Sequence, residues 1–76
     1  MVNDFAAQEF LAQVAEGTRV VILYRLHDQR ESATDAVGFV SAKNDTHIVL
    51  ATMRGLTTIA FADVIAAKEV PPPPLR

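Results

Sequence analysis

The sequence predicts a mainly β fold: a small, strongly bent five-stranded barrel with an N-terminal α-helix. Three observations carry this expectation. The spacing of apolar residues changes from a helical period to a strand period at about Gly17–Thr18. From there on, short runs rich in β-branched and aromatic residues are separated by turn-forming residues. The chain has 76 residues, half of them apolar, which allows one compact core and no second domain. The expected layout is a helix over 1–17 packed on or beside the barrel, the barrel over 18–70, and a proline-rich tail or linker over 71–76.

In the first segment Ala7, Phe10, Leu11 and Val14 follow the i, i+3, i+4, i+7 rule and form one apolar stripe. Asn3 or Asp4 is placed to cap its start by accepting free amide hydrogens of the first turn. Gly17 sits where a left-handed residue ends a helix. Phe5 falls opposite the stripe, either folding over the helix start or marking a contact with another chain. The helix itself either closes an open end of the barrel or supplies a homodimer contact.

Thr18–Leu26 reads as the first strand, since its β-branched and aromatic residues suit a pleated, half-buried surface. His27–Ala33 is polar and reads as a long exposed loop. Thr34–Ala42 resumes the strand pattern, and Gly38 within it suits a bulge or a sharp bend where a side chain would obstruct a tightly coiled sheet. Lys43–Thr46 is a turn, with Asn44 and Asp45 able to bond their own backbone. His47–Thr52 is the third strand, and Met53–Arg54–Gly55 a tight connection in which Gly55 takes positive φ. Leu56–Phe61 is the fourth strand, with Thr57, Ile59 and Phe61 on one face. Ala62–Val64 forms one helical turn capped by Asp63, and Ile65–Val70 is a short fifth strand. Curling five such strands into a barrel removes the exposed edges that an open sheet would present. Pro71–Pro74 cannot donate backbone hydrogen bonds and ends the fold in an extended segment.

Composition excludes several classes. There is no cysteine, so disulfides, thiolate metal sites and cysteine nucleophiles are ruled out. Apolar runs such as Val20–Leu23 fall far short of the roughly 20 residues of a membrane span. The N-terminal Met-Val-Asn-Asp-Phe lacks a basic region, which points to a cytoplasmic protein without a signal peptide and without membrane contact. Net charge is −2, not the basic footprint of a nucleic-acid binder. That reading would need Arg19, Arg25, Arg30, Lys43 and Arg54 to converge on one face.

Four stretches carry a resemblance: Gly17-Thr-Arg-Val-Val, Tyr24-Arg-Leu, Ala33-Thr-Asp-Ala-Val-Gly, and Ala62-Asp-Val-Ile-Ala-Ala-Lys-Glu-Val-Pro-Pro. Over about residues 17–73 the chain resembles the SH3-like barrel found N-terminal to actinobacterial acetyltransferases of the GCN5-related (GNAT) superfamily. The most specific part is Asp63–Lys68 followed by Val70 and the prolines. In that family the barrel is an accessory piece and the acetyl-CoA site lies in a later domain. The resemblance therefore implies a non-catalytic interaction module without a cofactor. Its partner would be a protein, such as an acetyltransferase domain. Two features depart from the pattern: the N-terminal helix, and an end at Arg76 where the acetyltransferase domain would start. A small nucleic-acid-binding barrel, and weak acetyl transfer by the chain itself, are the alternatives.

Candidate chemistry is sparse. His27 and His47 each have an acid close by, Asp28 and Asp45, but lack a helical His-x-x-x-His pair to support zinc. Ser32 or Ser41 with a histidine and an aspartate would supply triad ingredients without a nucleophile elbow. Thr34 or Asp35 is expected to hydrogen-bond the backbone where the long loop enters the second strand. Tyr24, Arg25, Asp35 and Arg54 are the candidate partner contacts, since tyrosine and arginine combine area with donors at fixed geometry. Strand alternation puts Tyr24 and Arg25 on opposite faces. The tail matches a Pro-x-x-Pro-x-Arg ligand of SH3 domains, or serves as a stiff spacer.

Overall fold

A computed structural model describes residues 4–28, 30 and 32–72. Asn3 as a helix cap and the tail beyond Pro72 lie outside the described residues, as do Gln29 and Glu31 within the long loop.

Helix α1 (Asp4–Gln13) is followed by β1 (Arg19–Arg25), β2 (Ala33–Lys43), β3 (His47–Thr52) and β4 (Gly55–Ala60). A 3₁₀ turn, Phe61–Asp63, then leads into β5 (Val64–Glu69). All five strands are antiparallel in one sheet of order β4-β3-β2-β1-β5. The predicted strands are all present, within one residue at each end. The sheet curls, but β4 and β5 are not neighbours in its ladder, so curling does not remove both edges. Helix α1 lies against β5 and screens that side instead.

The core joins the helix to the inner face of the sheet. Ala7, Leu11 and Val14 pack with Val20, Ile22, Val40, Ile48, Leu50, Ile59 and Val64. Phe10, Tyr24, Ala36, Phe61 and Ala67 pack around this centre. The apolar stripe of α1 is thus buried within its own chain and is not the surface a second copy would use. This is how so short a helix persists: isolated helices of this length are marginal, and packing of one face stabilises them.

Two glycines have identifiable roles. Gly38 is buried in mid-β2, and a Cβ there would lie 2.5 Å from the Ala51 carbonyl oxygen on the neighbouring strand. The requirement is close backbone approach; the register shift in β2 falls later, between Val40 and Ala42. Gly55 has φ +114°, as the tight β3–β4 connection requires.

Gly17 also has positive φ (+90°), but it stands beyond the end of the helix, and its N–H donates to the Val40 carbonyl at 2.8 Å. It directs the chain from α1 into β1 and does not close the helix. That task falls to Lys43. Its Nζ donates to the carbonyl oxygens of Leu11 (3.1 Å), Ala12 (2.8 Å) and Val14 (2.6 Å). These are among the carbonyls that a helix end leaves without intrahelical partners, and a cation suits that end of the helix dipole.

Candidate functional site

Three of the four predicted contact residues meet in one groove. Tyr24 and its β2 partner Thr34, together with Asp35, Ala36 and Val37, form one wall. Thr52, Met53, Arg54 and Thr57 from the β3–β4 hairpin form the other. The groove has a volume of about 570 Å³. Its position follows from the local chain. Tyr24 falls on the inward set of β1 with Val20 and Ile22, so its ring packs on the core while it lines the groove. Arg54 is carried outward by the hairpin turn, whose shape Thr52 fixes. Thr52 Oγ1 donates to the Gly55 carbonyl at 2.8 Å and accepts from the Arg54 N–H at 3.1 Å. The groove thereby offers an aromatic ring, one cation and one anion among threonine hydroxyls and a few apolar side chains. Met53 at its lip is fully exposed.

Arg25 takes no part in it. As alternation requires, it faces the other way, and it lines a smaller cleft with Leu26, His27, Ser32, Ala33 and Ile65. Thr34 and Asp35 form no side-chain hydrogen bond with the backbone, contrary to expectation. They stand opposite Tyr24 and Leu23 in the β1–β2 ladder, and the loop entrance is closed by the Leu26 N–H donating to the Ser32 carbonyl at 2.7 Å.

Asp63 also differs from its expected role. The 3₁₀ turn has no side-chain cap. Asp63 Oδ1 instead accepts from His27 Nε2 at 2.6 Å, tying the long loop to the start of β5. Asp28, the acid adjacent to His27 in sequence, turns back into its own loop. Its carboxylate accepts from Ser32 Oγ (2.9 Å) and from the backbone N–H groups of Arg30 (3.0 Å) and Ser32 (3.3 Å). These bonds, led by the Ser32 hydroxyl, hold the Asp28 carboxyl below its usual range.

The ingredients of a triad are therefore divided: Ser32 bonds Asp28, and His27 bonds Asp63. His47 Nδ1 lies 2.7 Å from Thr46 Oγ1, within the turn that Asn44 organises by accepting from the N–H groups of Thr46 and His47. Among the described residues, no cluster of three or more histidines and carboxylates is placed to hold a metal ion. The basic residues are also dispersed. Arg19 and Arg25 stand at opposite ends of β1, Arg19 donates to the Pro71 carbonyl at 2.6 Å, and Lys43 is committed to the helix end.

One curled antiparallel sheet agrees with the family comparison. Residues 14–68 match the model of the Rv0428c N-terminal Sm-like domain. The chain belongs to this Sm-like family. The match begins just after α1 and runs to Lys68 in β5, so it includes every residue of the groove. Searches of curated proteins and of solved structures give no match. The Sm-like fold is a small barrel-like β fold, in keeping with the curled sheet. No helix among the described residues is long and apolar enough to cross a membrane.

Proposed function

We propose that this Sm-like chain is a non-catalytic accessory module that receives a protein partner in the groove between Tyr24 and the β3–β4 hairpin. One observation carries the reading: Tyr24, Asp35 and Arg54, far apart in sequence, line a single groove. Tyrosine and arginine are the residue types that dominate interface energetics. The half-buried Tyr24 is already held by the core, so docking on it costs little side-chain entropy. Among the described residues, no buried side chain is polar or charged.

The resemblance of residues 17–73 to barrels that precede GCN5-related acetyltransferases suggests an acetyltransferase domain as the partner. Calorimetric titration of the chain with the acetyltransferase encoded nearest to its gene tests this directly. Binding that weakens at least tenfold in Tyr24→Ala and Arg54→Ala supports the reading. No heat at about 100 μM, or binding indifferent to both substitutions, refutes it. A titration with single-stranded oligonucleotides at low salt, where phosphate attraction is strongest, separates this from the nucleic-acid alternative.

A further inference from the structure

The outer face of the sheet is apolar where water would ordinarily meet polar residues. An antiparallel sheet with one face on a core usually carries polar side chains on the other. Here the outward set of β1 includes Val21 and Leu23, and that of β2 includes Val37 and Phe39. The ladder sets Val21 directly beside Val37, with Phe39 next on the same face of β2. Leu23, Val37 and Phe39 are each about two-fifths exposed (38%, 40% and 41%). Contiguous apolar exposure of this kind marks an interaction surface more than scattered single residues do.

Two opposite charges flank the strip. Asp35 on β2 stands beside Leu23, and Lys68 on β5 stands beside Val21 on the other side. Both are exposed, and among the described residues neither side chain forms a hydrogen bond or ion pair. The anion and the cation therefore lie diagonally across β1, with Val21 and Leu23 between them.

We infer that this face binds a second copy of the chain. A two-fold axis passing between Val21 and Leu23 brings Asp35 of one copy onto Lys68 of the other, and by symmetry forms the reciprocal pair as well. An isologous contact requires such self-complementarity. It buries the apolar strip at the centre and gives both unpaired charges a partner at the rim. The contact uses the outside of β5-β1-β2 and shares Asp35 and Val37 with one wall of the groove proposed for a protein partner.

Charge exchange tests this with unusual discrimination. Wild-type chain is followed by sedimentation velocity from about 10 μM to about 1 mM. Dimerisation within that range is expected. Asp35→Lys places lysine against lysine twice, and Lys68→Asp places aspartate against aspartate twice. Each alone should raise the dissociation constant at least tenfold, because like charges brought together oppose association. An equal mixture of the two variants restores both attractive pairs and should form a heterodimer. Wild type that stays monomeric at about 1 mM overturns the proposal. So do single variants that dimerise as well as wild type, or a mixture that fails to associate. If either variant fails to fold by circular dichroism, the methyl NMR signals of Val21, Leu23 and Val37 in wild type decide. They must shift on dilution, and no shift refutes the contact.

Discussion

Lys43 Nζ lies 2.6 Å from the carbonyl oxygen of Val14, across 29 positions of chain. Through this bond and its companions to Leu11 and Ala12, a lysine at the end of β2 closes a helix that has no basic residue in its own last turn. Lys43→Met keeps the aliphatic stem but removes the charge and its donors. A loss of about 1.5–3 kcal/mol is expected, the range for hydrogen bonds to charged groups, and urea denaturation followed by circular dichroism measures it. A change under about 0.3 kcal/mol would show that water replaces the ammonium without cost.

Gly38 is expected to be intolerant of any side chain. A Cβ at 2.5 Å from the Ala51 carbonyl oxygen meets backbone, which cannot rotate away. Gly38→Ala should cost about 1–3 kcal/mol through strain and strand displacement. Gly17→Ala provides the contrast, since nothing lies within 4 Å of its Cβ position and only the φ of +90° is strained. About 1 kcal/mol is expected there. Midpoints from chemical denaturation of the two variants order these costs; the reverse order would contradict the close-approach argument.

Leu11 is fully buried although it belongs to the helix, whereas Phe5 on the same helix is 71% exposed. Leu11→Ala should lose about 2–5 kcal/mol, as large-to-small changes in cores do. That is a large part of the stability of a domain this small. Phe5→Ala should stay within about 0.5 kcal/mol. Equal effects would mean that the helix is an appendage and not part of the core.

The loop 26–32 should lose order in acid. Asp28 has a lowered pKa because Ser32 Oγ and the N–H groups of Ser32 and Arg30 bond its ionised form. A carboxyl whose native pKa lies below its unfolded one stabilises the fold above the unfolded value. That contribution fades as pH falls through the native value. Amide exchange at Arg30 and Ser32 should therefore accelerate below the normal aspartate range. Asp28→Asn should exchange faster already at neutral pH and show a flatter acid response. A wild-type acid response unchanged by the substitution would assign the effect to another group.

How far these features could be read from the sequence varied with the kind of interaction that creates them. The five strands and their bounds were legible because alternation and β-branched runs are local properties of the pleated backbone. Gly55 was equally legible, since a tight hairpin needs positive φ at a fixed position. The apolar stripe of α1 announced a buried face, but not whether its own sheet or a second copy would cover it. Asp63 shows the limit most clearly. A carboxylate beside a short helical turn has a local role available to it, yet it bonds His27 from 36 positions away.

The sequence by itself determined the class of fold, the order of its elements and the apolar stripe of its helix. Those follow from periodicity, which each segment expresses without reference to the others. Only the curled sheet decided which distant residues became neighbours. It placed Lys43 under the helix end, Tyr24 beside the hairpin that carries Arg54, and Asp35 and Lys68 on either side of an apolar strip. Such pairings depend on how strands register and bend through space, and no local pattern along the chain encodes that geometry alone.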